Sequence, residues 1–123
     1  IIQNLEVCQG KESTDRMQKE GLIKIMPIEV AKGVTFMKSV VIVDEFQDMD
    51  YEDFRTIITR LGEGSKIIFC GSKQQISRLI GKNSCITAAL KLEHSGLVGF
   101  KTLVANHRNP ILTSIINYLE NGE

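Results

Sequence analysis

The chain has no tryptophan, two prolines and few rings, with two tyrosines and five phenylalanines among 123 residues. So little aromatic surface gives no stacking platform for single-stranded nucleic acid. Neither sign of charge prevails, since fifteen Lys and Arg balance fifteen Asp and Glu. No net field therefore draws the chain to nucleic acid or an anionic membrane, and any such contact must be a local patch. Long apolar runs are missing as well. None exceeds the length of Val40-Val41-Ile42-Val43, far below the roughly 20 residues that span a bilayer. The first residues lack the basic flank and apolar block of a secretory signal. Three cysteines, Cys8, Cys70 and Cys85, show no C-x-x-C spacing, which excludes a zinc knuckle and a disulfide framework. The expectation is a cytoplasmic protein with reduced thiols, no membrane contact, and Cys70 buried in a strand.

What is present is ordinary globular chemistry: 42% hydrophobic and 24% charged residues. The length suits one domain spanning residues 1–123. Ile1 to Val7 could open a short helix, and Gln9 to Glu20 reads as loop and then helix around Asp15–Glu20. Leu22 to Ile28 alternates like a strand closed by Pro27. Met37 to Val43 is the clearest strand, and its continuous β-branched run predicts cover on both faces. From Asp50 to Leu61 the period becomes helical, with Phe54, Ile57, Ile58 and Leu61 on one face, Asp50 as cap, and Gly62 and Gly64 as terminators. A buried strand Lys66–Cys70 follows, then short helices at Ile76–Ile80 and Cys85–Leu92, a strand at Phe100–Val104, and a helix at Ile111–Leu119 behind Pro110. Buried strands alternating with amphipathic helices predict an α/β fold with a mostly parallel sheet flanked by helices.

In open parallel sheets, ligands sit beyond the carboxyl ends of the strands. Two strands here end in reactive or polar residues: Val43 runs into Asp44-Glu45, and Cys70 into Gly71-Ser72-Lys73-Gln74-Gln75. Magnesium takes one or two carboxylates plus substrate phosphates, and a neighbouring acid can orient and deprotonate an attacking water. From periodicity alone, the acids read equally well as the start of a loop or a cap for the next helix.

The segment Val41-Ile42-Val43-Asp44-Glu45-Phe46-Gln47-Asp48 resembles motif II of superfamily 1 helicases and of the PhoH family of P-loop ATPases. Its Phe-Gln-Asp ending is closer to UvrD-type helicases. Thr59-Arg60-Leu61-Gly62-Glu63-Gly64-Ser65-Lys66, however, resembles the PhoH signature between the motif II helix and the next strand. Gly33-Val34-Thr35-Phe36 and Ile1-Ile2-Gln3-Asn4-Leu5-Glu6 resemble earlier PhoH stretches. The resemblance implies part of a P-loop NTPase, RecA-like core that binds and hydrolyses ATP with Mg2+. By that likeness Asp44 holds the metal, Glu45 polarises the water, and Gln47 couples the motif to its neighbours at the nucleotide. Gln75 matches the glutamine of a Gly-Asp-x-x-Gln motif that senses the terminal phosphate. Arg108, within Asn106-His107-Arg108, neutralises charge on the transferred phosphoryl. The alternatives are a solvated helix start for Gln75, a surface ion pair for Arg108, and a structural role for His107. RNA as a partner and a homo-oligomeric assembly come only from the family likeness.

Departures from the pattern matter too. The family's Gly-Asp is Gly71-Ser72 here, and the arginines that flank the Gly-x-Thr stretch are Lys32 and Val34. Lysine keeps the charge but loses the planar fork. No G-x-x-x-x-G-K-[ST] occurs anywhere. Gly62-Glu63-Gly64-Ser65-Lys66 places its lysine ahead of a strand, where phosphate binding needs a helix N-terminus, and Gly10-Lys11 fails on spacing. The expectation is therefore a fragment, inactive alone, whose preceding portion carries the phosphate loop. By resemblance that loop's strand lies between the Lys66–Cys70 and Phe100–Val104 strands; otherwise those two pair directly. Competing readings are a UvrD-like helicase fragment and a non-catalytic module that retains the fold.

Overall fold

A computed structural model describes residues 2–72, 85–103 and 110–122. The chain divides into two compact units, Ile1–Leu90 and Lys91–Glu123. The first unit begins with helices α1 (Ile2–Gln9) and α2 (Lys11–Lys19) and the single turn α3 (Ile28–Ala31). Strand β1 (Val40–Val43), a 3-10 turn (Phe46–Asp48), helix α4 (Tyr51–Thr59) and strand β2 (Lys66–Phe69) follow. Helix α5 (Ile86–Leu92) runs across the boundary, and a 3-10 turn (Glu93–Ser95) and helix α6 (Pro110–Asn121) belong to the second unit.

The break between α1 and α2 is made by Gly10 at φ 87°, a left-handed conformation that glycine adopts without Cβ strain. Thr14, fully buried just beyond it, is satisfied locally. Its hydroxyl donates to the Gly10 carbonyl (3.0 Å) and accepts from the Gln9 side-chain amide (3.2 Å).

β1 and β2 pair in parallel, with Val40 opposite Lys66 and Val43 opposite Phe69. Their alternation sends Val41, Val43, Ile67 and Phe69 to a half-buried face. The Phe69 ring lies 4.9 Å from that of Phe54 in α4 and 5.6 Å from that of Phe46. Helix α4 forms as its sequence dictates. The Asp50 side chain accepts from the Asp53 N–H (2.8 Å), Glu52 and Asp53 occupy the positive first turn, and Phe54 and Ile57 are buried.

The stretch Thr59–Lys66 clips the two strands into register ahead of their pairing. The Phe36 N–H donates to Arg60 O (2.9 Å) and the Gly62 N–H to Phe36 O (2.7 Å). Lys38 N–H reaches Glu63 O, and the Ser65 hydroxyl donates to Phe36 O (2.9 Å) while accepting from the Ser39 N–H (3.0 Å). A Cβ at Gly62 would lie 2.8 Å from Phe36 O, so only glycine allows this approach.

Several expectations need correction. Residues 22–27 are irregular, not a strand, and Pro27 at φ −63° and ψ 154° leads into the α3 turn, a place where its missing N–H costs nothing. Residues 100–103 form no strand, and Val104 lies outside the described residues. The helix expected from Asp15 starts earlier, at Lys11. Neither strand is covered on both faces: Val40 and Ile42 of β1 and Ile68 of β2 stay exposed, because a continuous apolar run does not say which face has a neighbour. Cys70 lies just past β2 and is exposed, whereas Cys85 is the buried thiol. The expected helix at Ile76–Ile80 lies outside the described residues. In the second unit α6 begins at Pro110 as expected, with Ile111, Leu112, Ile115 and Leu119 exposed. No helix among the described residues is long and apolar enough to cross a membrane.

Candidate functional site

Pairing of main chain with main chain continues past the carboxyl ends of both strands. The Cys70 N–H donates to Val43 O (2.8 Å), and the Phe46 N–H donates to Cys70 O (3.0 Å). These two bonds hold the Asp44-Glu45 loop against the Gly71-Ser72 loop. Asp44 and Glu45 are both exposed there. An Asp44 carboxylate oxygen accepts the Glu45 N–H at 3.2 Å.

Glu45 adopts φ 53° and ψ 37°. A left-handed residue with a Cβ costs about 1–2 kcal/mol, and such strain gathers where surrounding contacts hold it in place. The contact here is Gln47, which is 1% exposed. Its amide nitrogen donates to Glu45 Oε2 (2.5 Å), and its amide oxygen accepts the Ser72 N–H (3.1 Å). Gly71 makes room for this. A Cβ there would meet Gln47 Oε1 at 2.5 Å and Phe46 Cδ1 at 2.6 Å.

Cys85 supports the 3-10 turn that carries Gln47. Its N–H donates to Met49 O (3.0 Å) and its thiol to Phe46 O (2.9 Å). Burial pushes this thiol up to about 11, so it stays a protonated donor. Lys32 is engaged elsewhere. Its ammonium pairs with Asp53 at 2.5 Å in the first turn of α4, and that hydrogen bond raises its pKa.

The structure thus brings Asp44, Glu45 and Gln47 to the Gly71-Ser72 loop. Gln75, Arg108 and His107 lie outside the described residues. Sequence reasoning noted Gly71-Ser72 only as a departure from the family's Gly-Asp and gave the Ser72 N–H no role, although a glycine directly after a strand is the signal for close backbone approach. Among the described residues no group of three or more His, Cys, Asp or Glu side chains converges. The donor set still fits magnesium, which needs only one or two hard carboxylate oxygens beside water and phosphate. A shallow groove along α6, lined by Ile111, Ser114, Ile115, Tyr118 and Leu119, has no charge to meet a phosphate.

The family described as PhoH-like protein matches residues 1–120. The chain belongs to the PhoH family. It is 27% identical over 122 residues to Protein PhoH2 of Mycolicibacterium smegmatis, an alignment that covers 98% of this chain and 28% of that protein. A PhoH-like protein of Bacillus subtilis is 31% identical over 111 residues, 87% of this chain and 34% of its own length. The chain therefore spans about a third or less of these PhoH relatives. The parallel pair β1–β2 flanked by helices is consistent with part of the P-loop NTPase fold of this nucleotide-binding family.

Proposed function

We propose that this chain supplies the hydrolytic half of an ATPase site within a PhoH-family protein, the phosphate-gripping loop coming from another part of the complete protein. The observation that carries this reading is the strained acid at the end of β1. Glu45 holds a left-handed backbone while Gln47 ties its carboxylate to the opposite loop. Asp44, exposed beside it, is the residue that would hold Mg2+. When bound, that ion neutralises phosphate charge and orients the nucleotide tail. Glu45 accepts a proton from the attacking water, a role that contributes about 10²–10⁴-fold in rate. Gln75 and Arg108 complete the reading as contacts to the terminal phosphate. RNA and further copies of the chain enter only as what the family likeness implies.

The test uses the complete protein. Glu45→Gln should lower magnesium-dependent ATP turnover by about 10²-fold or more, while ATP affinity by calorimetry stays within about threefold. Turnover equal to that of the natural protein would remove Glu45 from the mechanism and overturn the reading.

A further inference from the structure

Gln47 belongs to motif II by sequence, and the resemblance places it beside the nucleotide. Its surroundings point to a different task. It is buried to 1% exposure, and both ends of its amide are engaged within the protein. The donor end holds the carboxylate of Glu45, and the acceptor end holds the main chain of Ser72. The side chain is itself pinned, because the 3-10 turn that bears it is anchored by the Cys85 thiol on Phe46 O. Gly71 leaves just enough space for the amide oxygen to reach its partner.

We infer that Gln47 is a positioning residue rather than a nucleotide ligand: it aims the Glu45 carboxylate and makes that aim depend on where the Gly71-Ser72 loop sits. The inference rests on the ATPase reading above, since only there does the aim of Glu45 matter for chemistry. Three facts support it together. The Glu45 backbone lies in a region disfavoured for glutamate, so something must hold it. Among the described residues, the side-chain bond to the Glu45 carboxylate comes from Gln47. The other end of that amide reads a main-chain N–H three residues before Gln75. A shift of residue 72 in response to a bound phosphate would therefore reach Glu45 through a single rigid amide. Misplacing a reacting group by about 1 Å costs on the order of 10²-fold in rate, so a displaced Glu45 would lower kcat and leave binding intact.

The experiment has two arms on the complete protein, with Gln47→Met, which keeps the volume and removes both bonds, and Gln47→Glu, which keeps only the acceptor end. In the first arm, kcat for magnesium-dependent ATP hydrolysis should fall by about 10-fold to 10²-fold. KM and calorimetric nucleotide affinity should stay within about threefold. Loss of affinity at unchanged kcat would make Gln47 a ligand and overturn the inference, as would no change in either constant. In the second arm, without nucleotide, the Ser72 amide resonance is followed by NMR. It should shift upfield and exchange faster in Gln47→Met, stay protected in Gln47→Glu, and respond to Glu45→Ala as well. A Ser72 amide indifferent to Glu45→Ala overturns the relay. Absence of turnover in the natural protein brings down both the ATPase reading and this inference, whereas turnover that Gln47→Met leaves unchanged brings down this inference alone.

Discussion

Gly71→Ala tests the packing on which the site depends. The added methyl would lie 2.5 Å from Gln47 Oε1 and 2.6 and 2.9 Å from Phe46 Cδ1 and Cε1, where unstrained carbon contacts need about 3.5–4.0 Å. The Gln47 amide can swing aside, but it then loses Ser72, Glu45 or both. Phe46 has less freedom, being 8% exposed and packed against the Phe69 ring. Overpacking of this kind costs about 1–3 kcal/mol, and each lost hydrogen bond adds about 1 kcal/mol. The total is about 2–5 kcal/mol. With a urea m-value of about 2 kcal/mol/M, the unfolding midpoint should fall by about 1–2.5 M. Gly99→Ala is the control, since nothing lies within 4 Å of its built Cβ, and it should shift stability by less than about 0.5 kcal/mol. Equal midpoints for the two variants would refute the close approach of residue 71 to Gln47 and Phe46.

Two further substitutions probe the support of the site and, at the other end of β2, the strand register. The Cys85 thiol is raised by burial from 9.0 to about 11, so its folded value exceeds its unfolded one. The stability this contributes is full below pH 9 and is lost as pH climbs towards about 11, an effect of about 2–3 kcal/mol. Urea denaturation at pH 8 and 10.5 should show this slope in the natural protein and its disappearance in Cys85→Ala, and a thiol reagent should label exposed Cys8 and Cys70 well before Cys85. Ser65→Ala removes the hydroxyl that accepts the Ser39 N–H. Phe36 O keeps its bond from Gly62, so the loss should be about 1–2 kcal/mol, with faster amide exchange at Ser39 as its local sign.

Much of the first unit was legible because period and punctuation agree there. α4 announced itself through Asp50 and the spacing of Phe54 and Ile57, and both strands through short apolar runs. The segment around Leu22 misled because alternation over a few residues arises by chance, and a proline suits a helix entrance as well as a strand end. The sequence singled out Asp44, Glu45 and Gln47 by residue type, and it carried nothing of their geometry. Nothing in a one-letter code marks Glu45 as left-handed, since glycine, asparagine or aspartate is the usual sign. The partners of Gln47 were equally hidden, because they depend on a loop that follows a different strand. Thr59–Lys66, the stretch read from the sequence as resembling a PhoH signature, sits at the opposite end of β2 from the acids. Its glycines and serine serve strand registration, so a memorable signature need not be a chemical one.

Residue 72 meets Gln47 through its peptide nitrogen, a group that every amino acid except proline provides. Serine, where the family resemblance implies aspartate, therefore leaves this particular link untouched. The position is permissive in its side chain and strict in its main chain, and proline is the one replacement that would cut the tie outright.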